Sequence, residues 1–116
     1  MIESLDGTEL LGSATLKTSN LLVPRTFALY PNRPNPFNPV TTIDFDVAAP
    51  VYASIRVYDV AGRLIRTLWD QSTAEGYYSV KWDGVNNNGS PVASGVYFYQ
   101  LRAGSFVSTR KLVLLK

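Results

Sequence analysis

Residues 95–115 read GVYFYQLRAGSFVSTRKLVLL, and this stretch decides the fold class. Aromatic and β-branched residues fill both of its arms, and such residues are enriched in β-strands. Between the arms lies Ala103-Gly104-Ser105, where the glycine supplies the backbone freedom that a tight turn needs. A hairpin is therefore predicted, with one strand over residues 95–102 and a second over residues 106–115.

The same kind of pattern recurs upstream of this hairpin. Residues 41–47 read TTIDFDV, in which polar and apolar residues alternate with the period of a half-buried strand. Asp44 and Asp46 are therefore expected on a solvated face, and not as the carboxylate pair of a glycosidase. Gly, Pro, Asn and Asp separate such runs, and further strands are predicted over residues 52–58, 63–69 and 77–82.

The strands together define the fold class. No stretch of ten residues keeps a helical period without a Gly, a Pro or a β-branched run. Short strands with hairpin-length connections are typical of two sheets that face each other across one core. The prediction is an all-β fold, an immunoglobulin-like antiparallel β-sandwich of about seven strands. The Cys–Trp–Cys set of antibody domains is missing, so Trp82 and Tyr97-Phe98-Tyr99 are expected to fill the core.

Cysteine and histidine are both absent from the 116 residues. Their absence removes thiol nucleophiles, imidazole bases and the usual ligands of zinc, copper and haem. The pair Ser94-Gly95 resembles a nucleophile turn, but no evident base activates the hydroxyl. The chain is therefore predicted to be a non-enzymatic protein without a cofactor, with calcium as the one ion left open.

The calcium alternative rests on the loop DGVNNNG at residues 83–89. Its weak candidate ligands are Asp83, Asn86 and Asn88, because calcium prefers carboxylate and amide oxygens. An EF-hand loop closes with a Glu at its twelfth position, which here is Ser94. Asn and Gly are also the residues that hairpin turns require, so a structural turn is the preferred interpretation.

Charge and hydropathy limit the partners. The net charge of +2 comes from eleven Lys and Arg residues scattered along the chain, so no basic patch for nucleic acid is expected. No apolar run approaches the roughly 20 residues of a membrane span. The acidic start, Met1-Ile2-Glu3-Ser4, is unlike a signal peptide. If the protein is exported, we expect this chain to be part of a longer polypeptide with an upstream passenger domain.

Residues 33–39, RPNPFNP, mark the start of the domain. Three prolines in this segment fix the backbone and remove donors, so an extended or turning connector is expected. Residues 27–116 are predicted to form the domain. Residues 1–26 are predicted to be a linker or the tail of a preceding domain, with an extra edge strand over residues 9–17 as the alternative.

Five motifs in order carry a resemblance to a known family. They are Pro34-Asn35-Pro36-Phe37-Asn38-Pro39 before Thr41-Thr42-Ile43, then Val57-Tyr58-Asp59-Val60-Ala61-Gly62-Arg63, then Val80-Lys81-Trp82-Asp83-Gly84 with Asn88-Gly89, then Ala93-Ser94-Gly95-Val96-Tyr97-Phe98, and finally the basic C-terminal strand. In these motifs the chain resembles the type A C-terminal sorting domain of the type IX secretion system. That domain is similar in fold to the immunoglobulin-like domain of flagellar hook-capping proteins. Arg33 stands where family members often carry Tyr.

The resemblance implies a location and a set of partners. Such domains direct an upstream passenger protein through outer-membrane secretion machinery, and a sortase-like peptidase can then remove them or couple the passenger to the bacterial cell surface. Recognition would involve the terminal strand and its carboxylate, and cleavage would fall before Tyr30. The predicted recognition residues are Arg110, Lys111, Leu112, Val113, Leu114, Leu115 and Lys116. From the residues alone, this strand either completes its own sheet or also adds to a partner's sheet.

Two other functions stay open at this point. The first is a structural or interaction module, such as a surface scaffold or a filament subunit. The second is a glycan-binding accessory domain, for which exposed aromatic side chains would form a stacking platform. The candidates for that platform are Trp69, Tyr77, Tyr78, Tyr97 and Tyr99.

Overall fold

The computed structural model describes residues 23–116. The expectations for residues 1–22, including a strand over residues 9–17, lie outside the described residues. The described part contains seven strands. They are β1 (Ala28–Leu29), β2 (Thr41–Val47), β3 (Val51–Asp59), β4 (Leu64–Thr73), β5 (Gly76–Trp82), β6 (Gly95–Ala103) and β7 (Phe106–Leu114).

The strands form two antiparallel sheets. A three-stranded sheet has the order β1-β2-β5, and a four-stranded sheet has the order β4-β3-β6-β7. This arrangement confirms the predicted all-β, immunoglobulin-like sandwich of seven strands. The terminal hairpin also forms, and Ala103 pairs with Phe106 across the two-residue turn Gly104-Ser105. Gly104 has a φ of 61°, which explains why a glycine occupies this turn.

The core lies between the two sheets and is rich in aromatic rings. Trp82 is fully buried, and the rings of Phe37 and Tyr97 pack against it at centroid distances of 5.4 and 5.5 Å. Tyr99 is fully buried as well, whereas Phe98 is only half-buried. Trp82 and two of the three residues Tyr97-Phe98-Tyr99 therefore fill the core, as predicted.

The turn between β3 and β4 is organised by one carboxylate. Oδ1 of Asp59 accepts hydrogen bonds from the amide nitrogens of Ala61 and Arg63, both at 2.9 Å, and Arg63 Nε donates to Oδ2 at 2.8 Å. The bond from the Arg63 amide is the main cause that lowers the pKa of Asp59 below its ordinary value. Gly62, at a φ of 83°, completes the turn.

One expected solvent-facing residue is buried. Asp46 is only 8% exposed, although the alternation of β2 places it on the outer face. The reason lies in the preceding segment, where Tyr30 covers Asp46 and its hydroxyl donates to Asp46 Oδ2. The expectation of a solvated Asp46 is therefore wrong, because a loop residue lies over the strand.

Within residues 23–116 there is no helix, and therefore no helix long and apolar enough to cross a membrane.

Candidate functional site

The predicted recognition strand lies at an edge of the four-stranded sheet, where β6 is the one strand beside β7 and Phe37 forms an isolated parallel bridge with Leu114. Its residues fall into two groups. Leu112 and Leu114 point into the core and are 0% and 2% exposed, and Val113 is half-buried. The side chains of the remaining four residues are exposed, and they are Arg110, Lys111, Leu115 and Lys116. These four, and the exposed part of Val113, are available to a partner without unfolding the strand.

The proline-rich segment, residues 33–39, forms hydrogen bonds with the backbone groups at the C-terminal end of this edge. The Phe37 amide donates to the Val113 carbonyl at 3.0 Å, and the Leu115 amide donates to the Phe37 carbonyl at 3.1 Å. Oδ1 of Asn35 accepts from the Val113 amide at 3.0 Å and so takes the place of a strand carbonyl. A partner strand therefore cannot pair with Val113 or Leu115 unless this segment moves away.

A buried polar network holds the proline-rich segment in place. Asn32 is 3% exposed, and its Nδ2 donates to Thr41 Oγ1 at 2.9 Å and to the Pro34 carbonyl at 3.1 Å. Thr41 Oγ1 donates to the same carbonyl at 3.0 Å. Phe37 then anchors the segment in the core. The expected connector is thus a built edge element, which sequence analysis missed because its partners lie far along the chain.

The terminal strand is also tied to its surroundings by polar contacts. Arg110 Nε donates to the Leu29 carbonyl at 2.7 Å and so links the two sheets. The Lys116 amide donates to Ser94 Oγ at 2.9 Å. The Arg110 guanidinium is therefore partly engaged, whereas the side chains of Lys111 and Lys116 form no ion pair with the described residues.

Basic side chains continue from β7 across the outer face of the four-stranded sheet. The pairing register sets Lys111 opposite Phe98, and Phe98 opposite Tyr58 on β3. Two residues further along each strand, Arg56 lies opposite Gln100. Arg102 follows on the same face of β6 and is exposed. Arg56, Arg102 and Lys111 therefore share one face with two aromatic side chains.

The loop proposed as a calcium candidate is a hydrogen-bonded turn. Oδ1 of Asn86 accepts from the amides of Asn88 and Ser90 at 2.9 and 3.0 Å. Oδ1 of Asp83 lies 4.0 Å from a guanidinium nitrogen of Arg66. No cluster of three acidic residues suited to a metal ion occurs among the described residues. Calcium binding by Asp83, Asn86 and Asn88 stays a prediction. In the turn, Oδ1 of Asn86 already accepts two hydrogen bonds from backbone amides.

The same loop blocks the other edge of the four-stranded sheet. The Asn87 amide donates to the Ile65 carbonyl at 2.9 Å, and Asn87 Oδ1 accepts from the Thr67 amide at 3.0 Å. Register shifts in the β3–β4 pairing distort this edge further. Each outer edge of the sheet is thus capped by an asparagine side chain, Asn35 at β7 and Asn87 at β4, which limits unwanted strand pairing.

The aromatic platform expected for a glycan does not form as predicted. Tyr97 and Tyr99 are buried, and Tyr99 donates its hydroxyl to the Tyr30 carbonyl at 2.7 Å. Burial raises the pKa of Tyr99 to about 12. Trp69 and Tyr78 pack against Phe45 with centroid distances of 5.3 and 5.4 Å. Of the five candidates only Tyr77, at 57% exposure, presents its ring to solvent.

Asp44 and Asp46 lie beside Tyr77 on the outer face of the three-stranded sheet. Asp44 Oδ2 accepts from Arg33 at 2.8 Å, and its Oδ1 accepts from Ser79 Oγ at 2.5 Å. These groups line an open hollow of about 410 Å³. Its lining residues are Tyr30, Arg33, Asp44, Asp46, Tyr77, Tyr78 and Ser79.

These features define an immunoglobulin-like module with capped sheet edges and a basic terminal strand. Residues 37–105, more than half of the chain, match the family described as the FlgD Ig-like domain. The chain belongs to this family. Among curated proteins, none matches it in sequence.

Solved structures with the same fold come from two kinds of protein. Dimeric latent PorU from Porphyromonas gingivalis is 20% identical with a TM-score of 0.59, over 77% of this chain and 9% of PorU. PorZ from the same organism, a surface component of the type IX secretion system, is 20% identical with a TM-score of 0.51, over 90% of this chain and 13% of PorZ. Thus the chain spans a small part of the length of each.

A third similar structure belongs to a flagellar protein. FlgD from Xanthomonas campestris, a hook-capping protein, is 21% identical with a TM-score of 0.53. The match covers 84% of this chain and 72% of that one. At these identities the likeness shows the fold alone.

Proposed function

We propose that this chain is a non-catalytic C-terminal module that directs the secretion and cell-surface attachment of an upstream passenger protein. The observation that carries the proposal is the terminal segment. It forms an edge strand with a buried apolar face, and it presents the exposed residues Arg110, Lys111 and Lys116. The fold neighbour PorZ, a surface component of the type IX secretion system, supports the link to secretion, and the ordered sequence motifs support it as well.

Around Val113 and Leu115, the recognition surface in this proposal consists of side chains, because backbone groups there are already hydrogen-bonded. Asn35 and Phe37 occupy the backbone groups of Val113 and Leu115. The secretion machinery would therefore contact Lys111 and Lys116 together with the basic outer face of β6 and β3. Their positive charge favours an acidic partner surface, since complementary charges steer association.

The test is export of a reporter fused to residues 27–116 in a bacterium with type IX secretion. The double variant Lys111→Glu/Lys116→Glu should reduce extracellular reporter by about tenfold, because reversing two exposed charges costs binding without removing core contacts. The matched control is Lys81→Glu, an exposed lysine on β5 of the other sheet. Unchanged export by the double variant, with the fold intact by circular dichroism, would refute the recognition role.

A structural or interaction module is the second candidate, favoured by the family match to the FlgD Ig-like domain. In this case the domain spaces or joins subunits at the cell surface, and the secretion machinery does not recognise it. It predicts concentration-dependent oligomers of residues 1–116 in sedimentation velocity, lost when residues 1–26 are removed. A monomer at all concentrations would count against it.

A further inference from the structure

We propose that the hollow on the outer face of the three-stranded sheet is a binding site for neutral saccharides. The inference does not depend on the secretory role. Two tyrosine rings border the hollow, Tyr30 at 41% and Tyr77 at 57% exposure. Such partly exposed rings provide the apolar faces against which sugar rings stack. This site shares Tyr77 and Tyr78 with the aromatic set predicted from the sequence but is otherwise different.

The polar groups of the hollow are held in place by the sheet. The pairing of β2 with β5 sets Asp44 opposite Ser79 and Asp46 opposite Tyr77. The Tyr30 hydroxyl donates to Asp46, and Ser79 Oγ and Arg33 donate to the two oxygens of Asp44. Because strands position these side chains and hydrogen bonds orient them, little conformational entropy is lost when a ligand binds.

The mixture of donors and acceptors suits a neutral polyhydroxyl ligand. The carboxylates and the hydroxyl oxygens of Tyr30 and Ser79 can accept hydrogen bonds from sugar hydroxyls, and the remaining N–H groups of Arg33 can donate to them. Arg33 balances the charge of Asp44 at 2.8 Å, so the lining keeps one net negative charge, that of Asp46, and a cationic peptide has to be tested as a competing ligand. A volume of about 410 Å³ lies in the range of small-molecule clefts, roughly 300–1,000 Å³.

The pKa of Tyr30 agrees with this network. Its hydrogen bond to Asp46 is the main cause that raises the pKa above the ordinary value, so the hydroxyl stays a donor at neutral pH. The hydrogen bond from Tyr30 to Asp46 is therefore available throughout the neutral range.

The test is a titration of residues 1–116 with four oligosaccharides, made of glucose, mannose, galactose or N-acetylglucosamine. Binding is monitored by the chemical shifts of the backbone amides in NMR spectra. Saturable shifts at residues 44, 46, 77 and 79 with at least one oligosaccharide are expected. Tyr77→Ala should weaken that binding by about fivefold or more, because it removes the stacking face. Asp44→Asn is a second variant that should also weaken it while keeping the shape of the side chain.

Tyr52→Ala is the matched control. Tyr52 is 59% exposed on the other sheet, and its hydroxyl donates to Asp70 at 2.8 Å, so it copies the chemistry of an exposed tyrosine beside an aspartate. This variant should leave the affinity within twofold of the unmodified chain. The proposal is overturned if no oligosaccharide gives saturable shifts, if only tetralysine does, or if folded Tyr77→Ala and Asp44→Asn bind as well as Tyr52→Ala.

Discussion

Leu112 and Leu115 lie three residues apart in the terminal segment but have different surroundings. Leu112 is 0% exposed in the core, whereas Leu115 is 52% exposed. Leu112→Ala should lower the free energy of unfolding by about 2–5 kcal/mol, because it leaves a cavity in the core. Leu115→Ala should change it by less than about 0.5 kcal/mol. Urea unfolding of both variants measures the difference, and equal values would contradict the inward orientation of Leu112.

Tyr99 should make stability depend on alkaline pH. Its pKa is about 12 in the folded protein, above the ordinary value of 10, so folding favours the neutral phenol. The stability from this group is fully present below pH 10 and is lost as the pH rises from 10 to 12. The difference in free energy of unfolding between the unmodified chain and Tyr99→Phe should therefore narrow across this window. Urea unfolding at steps between pH 8 and 12 measures it, and a constant difference would argue against the shift.

At the scale of single residues, the sequence predicts burial well where neighbours along the strand decide it. Trp82, Tyr97 and Tyr99 follow this pattern. Asp46 does not, because a tyrosine sixteen positions earlier covers it. Alternation describes the two faces of a strand and contains no information about a loop that folds over one of them.

Among the elements, the proline-rich segment determines how firmly the terminal strand is held. Asn35→Ala removes the acceptor for the Val113 amide and should lower the free energy of unfolding by about 1 kcal/mol. Hydrogen exchange at that amide should become faster than in the unmodified chain. Asn38→Ala, an exposed asparagine of the same segment, is the control and should leave the exchange of Val113 unchanged. Equal exchange in both variants would mean that Asn35 does not cap β7.

On the opposite edge, Asn87 protects β4 from pairing with another chain. Asn87→Ala removes the acceptor for the Thr67 amide and should expose part of this edge. Self-association in sedimentation velocity should increase relative to Asn88→Ala, which replaces the next exposed asparagine of the loop. If the two variants behave alike, the side chain of Asn87 has no protective role.

The two asparagine caps show that the sequence predicts the strands but not the side chains that cap their edges. The strands follow from local alternation and from turn residues such as Gly62 and Gly104, so most of their bounds could be predicted to within one residue. Two exceptions occur: β4 continues to Thr73, beyond the predicted end at residue 69, and the two-residue strand β1 was not predicted. Asn35 and Asn87 read only as loop residues. Their partners, Val113 and Thr67, are brought near by the tertiary fold, and no local sequence pattern predicts such a contact.

For the whole molecule, the sandwich itself could be predicted because the six short strands read from the sequence leave few other ways to bury one face each. The hollow proposed for saccharides could not be predicted, since it combines Tyr30 and Arg33 with two residues of β2 and three of β5. The family match and the fold neighbours give the module its class. The secretory role that we propose belongs to the whole domain with its passenger, and it is tested at that scale.

The most direct measurement is the extracellular fraction of a reporter fused to residues 27–116, compared between a host with an intact type IX translocon and the same host lacking it. We expect most of the reporter outside the intact cells and nearly none outside the translocon mutant, with equal total expression. Equal extracellular fractions in the two hosts, or a reporter retained by both while the domain is folded, would contradict the proposed sorting function.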